Sequence, residues 1–420
     1  MTTKIAPKEL VARKSFLKTV QEIYTASPQE VAERYATLIN IHTESYKGAY
    51  DMFSSPGRIE LCGNHTDHNG GSVVAAAVSV DTIAVVTKIA ENKIIIKSVG
   101  YPIVEVDITD HKHYSAEEGT SHALVRGVID AFLARGYNVG GFIATTTSDV
   151  FKGAGMSSSA SFEVLVTAIL NYYYNDDKID AVERAIISQY AENVYFGKPS
   201  GLMDQASISI GGVSYMNFKD NNAPIVKKLD WQFANCTAVV INCGGDHCDL
   251  TPEYASIKHE MQAIANHFGA EKLGYIAEEV FYSALAELKE KFSGRAIMRA
   301  MHFYSENERV HNFADGVIAN DIDKVMGIVT ESGDSSYQKL QNCYVSGDDA
   351  QPIPLGLALV AEEDGVLARR VHGGGFAGTI LTFVDNAYLA NFVENMAKYY
   401  GKQNVFAVKI RANGSYKIEI

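Results

Sequence analysis

The residues of this 420-residue chain best suited to chemistry gather in four short stretches. Residues 56–71, PGRIELCGNHTDHNGG, hold four glycines, one arginine, two histidines and one aspartate. Polar groups at that density can converge on a ligand rich in hydroxyls, or simply solvate a glycine-rich hairpin. Residues 152–161, KGAGMSSSAS, place Gly153 and Gly155 where a backbone can approach a ligand closely. The serines that follow stand at the start of a helix, whose free N–H groups and dipole favour an anion such as phosphate. A serine hydroxyl there can also ligate Mg²⁺, a hard cation that prefers oxygen; a plain serine-capped helix is the alternative. Residues 200–205, SGLMDQ, set Asp204 among apolar residues and glycine, as a buried base or a helix cap. A buried carboxylate needs a cation, and Arg58 is the natural partner. Residues 369–384, RRVHGGGFAGTILTFV, carry a glycine run before a strand, fit either for a phosphate or for a tight turn.

Elements that position these stretches are readable from periodicity. Residues 8–47 have apolar spacing typical of helix, with Ser27 as a cap and Pro28 in the first turn. A glycine-rich loop is expected over 56–71, then strands through SVVAAAVSVDTIAVVTKIA, KIIIKSVG and GGFIATTTSDV. ASFEVLVTAILNYYY reads as a helix after the serines. In the second half, CTAVVINC and AGTILTFV read as strands, and EYASIKHEMQAIANHF, GRAIMRAMHFYSENERVHNFADGVI and NAYLANFVENMAKYYG as helices. The chain is expected to end in an edge strand, NVFAVKIRA. Clustered strands, without strict alternation with helices, indicate an α+β fold. A boundary falls near 205–235, dividing the chain into 1–215 and 216–420.

Thirty-seven Lys and Arg against fifty Asp and Glu leave a formal charge of −13, which argues against nucleic acid or an anionic membrane surface as partner. It leaves room for a small anion in a locally positive site. The five cysteines are too scattered for a disulfide framework, and Cys243, His247 and Cys248 fit no common zinc spacing, so free thiols in a reducing compartment are expected. With no signal-peptide core and no apolar run of spanning length, the chain reads as soluble and cytoplasmic. The GxxxxGK[ST] phosphate loop and the protein-kinase motifs are missing.

In this order and spacing the stretches resemble the galactokinases of the GHMP small-molecule kinase superfamily. PGR…GNHTDHNGG is similar to the galactokinase signature, KGAGMSSSAS to the superfamily phosphate loop, and HGGGFAG to its C-terminal glycine motif. GLMDQ, TPEY at 251–254 and SENERV at 305–310 match as well, so the likeness runs from about residue 56 to 384. The resemblance implies a two-lobed fold with the active site in the cleft between lobes, and ATP-dependent phosphorylation of the anomeric hydroxyl of galactose. It implies Asp204 as catalytic base, Arg58 as its partner in catalysis, and sugar contacts from Arg58, Asn64, His65, Asp67, Gly201, Asp204 and Tyr254. Gly153, Ala154, Gly155, Met156, Ser157, Ser158 and Ser159 would hold ATP, with Ser158 and Glu192 as Mg²⁺ ligands. Sugar and ATP are the implied partners, and a monomer is favoured.

Two positions depart from the family's GEHTDYNGG: Asn64 replaces the glutamate and His68 the tyrosine. The resemblance implies that a glutamate there accepts a hydrogen bond from the sugar's C6 hydroxyl. A neutral amide there would tolerate a C6 carboxylate, so a galacturonic acid kinase is a competing expectation, although Asp246 and Asp249 make the segment before Tyr254 acidic. A non-catalytic sugar sensor on the same scaffold is another. The extension of roughly 55 residues before the signature has no assigned role.

Overall fold

The computed structural model describes residues 4–150, 155–198, 200–220, 223–244, 251–376 and 378–420. Its strands are β1 (Asp51–Cys62), β2 (Ser72–Lys88), β3 (Lys93–Ser98), β4 (Val104–Asp107), β5 (Phe142–Ser148), β6 (Val213–Asn217), β7 (Ile225–Leu229), β8 (Cys236–Gly244), β9 (Val366–Val371), β10 (Gly378–Asp385), β11 (Val405–Val408) and β12 (Tyr416–Ile418). They form an eight-stranded sheet, ordered β12-β1-β2-β5-β3-β4 with β6 and β7 branching from β2, and a four-stranded sheet ordered β11-β8-β10-β9. The valine- and alanine-rich β2 explains the branching. Its residues 72–76 pair with β6 and its residues 82–88 with β5, while β1 runs along its other edge. Small and β-branched side chains let this strand be buried on both faces.

The expected loop at 56–71 is corrected by this pairing: its first seven residues lie in β1, and only 63–71 turn. The β1–β2 register shifts between Pro56 and Gly57 and again between Glu60 and Cys62. Such bulges re-aim side chains, and here they bracket Arg58. The division after residue 215 cuts through β6, and the chain rejoins the first sheet at β7 and again at β12. The lobes are therefore not consecutive halves of the sequence. A single apolar cluster, including Ile59, Val74, Val240, Phe313, Val329 and Leu381, runs between the two sheets. Among the described residues Cys62, Cys236, Cys243 and Cys343 are free thiols; His247 and Cys248 lie outside them. No described helix is long and apolar enough to cross a membrane.

The N-terminal extension folds as helices Pro7–Val11, Lys14–Ile23 and Pro28–Ser45, the last capped by Ser27 in a reciprocal box with Glu30. Phe16, Val20, Tyr35 and Ile39 pack against Ile83 and Val85 of β2 and Ile418 of β12. A buried charge fastens this layer. Asp81 of β2 accepts from Tyr24 Oη at 2.6 Å, Arg34 Nη1 at 2.7 Å and the Ser54 hydroxyl, with Arg411 Nη1 3.5 Å away. Arg34 also reaches Asp149, at 3.1 Å, just beyond β5 and before the phosphate-loop sequence. Removing a buried carboxylate leaves its cations unpaired, a loss of about 3–5 kcal/mol. Asp81→Ala is accordingly expected to lower the urea unfolding midpoint by that equivalent, with Arg34→Ala losing less because its side chain is partly solvated.

Candidate active site

Arg58 leaves the bulge in β1 and meets Asp204 in the first turn of the helix Met203–Ile210, Nε to Oδ1 at 2.7 Å. Its Nη1 donates to the Gly155 carbonyl, and the Ser157 hydroxyl donates to Asp204 Oδ2. One guanidinium thus bridges the carboxylate and the phosphate-loop backbone. Burial disfavours the Asp204 anion, but Arg58 and the Ser157 hydroxyl outweigh it and hold the group below the ordinary carboxylate range. A quarter of the Asp204 side chain stays accessible, enough for a ligand to reach it.

Ser157 adopts a left-handed conformation (φ 61°), and the helix Ser158–Tyr174 begins at the next residue. Its first backbone bond runs from Ser161 N to Ser157 O, so the N–H groups of the opening turn face outward, as at any helix start. Gly155, Met156, Ser157, Ser158 and Ser159 line this start, while Gly153 and Ala154 fall outside the described residues. Glu192 approaches from a π-helical turn, Ala191–Phe196, that continues the helix Ala181–Tyr190. Such turns often mark functional positions. Its buried carboxylate accepts from Ser159 Oγ (2.9 Å), Lys198 Nζ (2.9 Å), Ser200 Oγ (2.6 Å) and Gln205 Nε2 (2.8 Å). The hydroxyl that reaches Glu192 is therefore that of Ser159, next in the chain to Ser158, for which the resemblance implied a Mg²⁺-ligand role. The two are neighbours on the opening turn, and the helix phase decides which faces Glu192.

The turn after β1 supplies a second cluster. A Cβ on Gly201 would stand 1.7 Å from Asp67 Oδ2, so only glycine admits that carboxylate beside the Asp204 segment. Burial, with Asp204 nearby, pushes Asp67 up to about 6. Tyr254 donates to the Gly375 carbonyl at 2.7 Å, which brings the glycine motif over the same turn. His65 Nε2 lies 3.1 Å from the Gly374 carbonyl, His65 Nδ1 is 3.3 Å from His68 Nε2, and His68 Nδ1 is 2.9 Å from Asn69 Nδ2. A carbonyl only accepts, so His65 carries its proton on Nε2, and for neutral rings the rest of the chain follows: His68 Nε2–H donates to His65, and Asn69 donates to His68.

Asn64 is placed otherwise than expected. It is 1% exposed, and its amide is fully used inside the protein. Nδ2 donates to Glu60 (3.1 and 3.2 Å) and to the Gly373 carbonyl (2.8 Å), while Oδ1 accepts from Ser336 Oγ (3.2 Å) and Asn342 Nδ2 (2.8 Å). It braces the turn from behind, with the Glu60 carboxylate and Arg370 (3.5 Å from Glu60) deeper still. Lys198, Ser200, Gln205 and Glu60 were missed as site residues by sequence reasoning. Lys198 and Ser200 flank the recognised GLMDQ, and that adjacency was the available signal.

Two family descriptions match the sequence: the galactokinase galactose-binding signature over residues 40–88 and the GHMP kinases N terminal domain over residues 123–212. A galactokinase from Clostridium tetani is 30% identical over 362 residues, covering 85% of this chain and 89% of that one. One from Clostridium acetobutylicum is 29% identical over 400 residues, covering 91% and 99%. Among solved structures, Lactococcus lactis galactokinase complexed with galactose superposes with a TM-score of 0.78 at 22% identity, over 92% of this chain and all of that one. Methanococcus jannaschii mevalonate kinase does so with 0.62 at 13% identity, over 87% and 99%. These likenesses show the GHMP kinase fold.

Burial holds both His65 and His68 below the ordinary histidine range, His68 the more strongly, with Lys258 and Lys272 adding repulsion. Nitrogen-15 NMR of the imidazoles should therefore show one proton per ring, on Nε2, with neither ring titrating through the ordinary histidine range. A proton on either Nδ1 would contradict the hydrogen-bond chain.

Proposed function

The chain belongs to the galactokinase family of GHMP kinases, and on that premise we propose that it transfers the γ-phosphoryl group of ATP to the anomeric hydroxyl of galactose, giving galactose 1-phosphate and ADP. The observation that carries this reading is the Arg58 guanidinium shared between Asp204 and the Gly155 carbonyl. It sets a proton acceptor beside the helix start that suits phosphate.

In this mechanism Asp204 accepts the proton of the anomeric hydroxyl as that oxygen bonds to phosphorus. Its depressed pKa makes it a weak base, which suits a loose phosphoryl-transfer transition state with little need for early deprotonation. Arg58 keeps Asp204 ionised and places fixed positive charge next to the phosphate loop. The N–H groups at the start of the helix Ser158–Tyr174 would hold phosphate oxygens. Glu192 with the hydroxyls of Ser158 and Ser159 forms an oxygen-only donor set that fits Mg²⁺, which commonly takes one or two protein carboxylates and completes its shell with phosphate and water. Bound there, Mg²⁺ would neutralise charge on the β- and γ-phosphates. Arg58, His65, Asp67, Gly201, Asp204 and Tyr254 are the proposed sugar-side residues; Asn64 supports them from behind.

That inward amide also bears on the substrate. The neutral group expected to welcome a C6 carboxylate is consumed by Glu60, Gly373, Ser336 and Asn342, and a carboxylate stands directly behind it. Galactose, being neutral, fits this surround better than galacturonic acid.

A panel of hexoses and uronic acids with Mg·ATP, read as ADP release, should give turnover on galactose and none on galacturonic acid; turnover confined to another sugar would overturn the galactose assignment. Asp204→Asn should cut kcat by roughly 10²–10⁴-fold while galactose binding persists, measured by calorimetry. An unchanged kcat would remove Asp204 as base. Protonation removes the Asp67 charge and turns one of its accepting oxygens into a donor. Because its pKa is raised to about 6, kcat/KM for galactose should fall as pH drops through that value, and Asp67→Asn should flatten this limb.

A further inference from the structure

The stretch SENERV, residues 305–310, enters neither the phosphate loop nor the sugar cluster, yet it sits against the back of the sugar-side turn. It lies on the helix Gly294–Ile318. We propose that His302 and Glu306 of this helix are positioning residues for galactose, holding the turn 63–65 in its binding shape through that turn's backbone. The inference rests on the galactose reading of the site.

The turn is held in conformations that few residues adopt unaided. Gly63 has φ 104°, and a Cβ there would stand 2.6 Å from the Val73 Cα; His65 has φ 58°. Non-glycine residues in this region persist only where surrounding structure imposes them. The helix supplies that imposition from two side chains four residues apart, on one face. Glu306 Oε1 accepts from Gly63 N at 2.9 Å and Asn64 N at 3.4 Å. His302 Nε2 donates to the Asn64 carbonyl at 2.9 Å, and its Nδ1 accepts from Ser335 Oγ at 2.9 Å. An acceptor and a donor thus grip both polarities of a single peptide turn.

Each gripping group is itself fixed. Glu306 is fully buried, and its second oxygen takes Arg309 Nε and Nη2 at 2.8 and 2.7 Å, while the Ser332 hydroxyl donates to Oε1. Burial opposes its ionisation, but His302, Arg309 and Arg370 overcome that and lower it to about 2. Neither residue bonds Arg58, Asp204 or the phosphate-loop helix, so their influence should reach galactose and leave ATP alone.

The test is a KM split on the full-length enzyme. His302→Ala and Glu306→Ala should each raise the galactose KM by at least about tenfold, with the ATP KM and the kcat at saturating galactose within about twofold of wild type. His302→Gln restores an N–H near the position of Nε2 and should recover most of the galactose KM; Glu306→Gln, which keeps one accepting oxygen, should fall between. Folded variants with an unchanged galactose KM, or with ATP KM rising in parallel, would overturn the proposal. Should the alanine variants not fold, Ser335→Ala, which only frees His302 to rotate, must still raise the galactose KM; no rise there counts against it equally. If wild type turns over a different sugar, the galactose reading fails by itself, and the same split, read on that sugar, still decides the role of His302 and Glu306.

Discussion

Everything in the site is arranged around the placement of one guanidinium. Arg58 must satisfy the Asp204 carboxylate and the Gly155 carbonyl together, and those groups come from a helix start and a loop that no local rule brings together. A buried carboxylate without its cation is expensive, so the pair constrains both elements. The bulges in β1 aim the arginine, the close approach of Asp67 to Gly201 fixes the Asp204 segment, and the left-handed Ser157 turns its hydroxyl onto the same carboxylate. The base stays ionised, and positive charge lies where phosphate charge must be met.

An acidic protein of net charge −13 can therefore suit a polyanionic nucleotide. The favourable field is local, built from Arg58, the N–H groups of the helix Ser158–Tyr174 and Lys198 on Glu192. Short range and partial desolvation make these few groups count for more than distant surface carboxylates, whose fields water and salt screen.

The other constraint is satisfaction of buried polar groups where the two sheets meet. Glu60, Asn64, His302, Glu306, Asn342 and Arg370 come from widely separated parts of the chain, and nearly every donor among the first five finds an acceptor. Such networks specify one arrangement because a partial one is costly. This one pins the sugar-side turn to the second lobe and the glycine motif, so the lobes share a polar joint as well as an apolar core.

The sequence by itself determined what depends on neighbouring residues. The helix cap at Ser27, the strand character of residues 72–88, the helix after the serines and the pairing of a buried Asp204 with Arg58 follow from period, capping chemistry and charge. The ordered motifs carried the family. Tertiary structure decided what depends on contacts between distant segments. Strand pairing drew residues 56–62 out of the expected loop and returned the chain to the first sheet at β7 and β12. Helix phase brought the Ser159 hydroxyl onto Glu192. Four partners, three of them from residues 336–373, turned the Asn64 amide inward, away from the substrate role its position in the motif implied. A residue's type limits the bonds it can make, but which of them it makes is settled only when burial leaves no other partner.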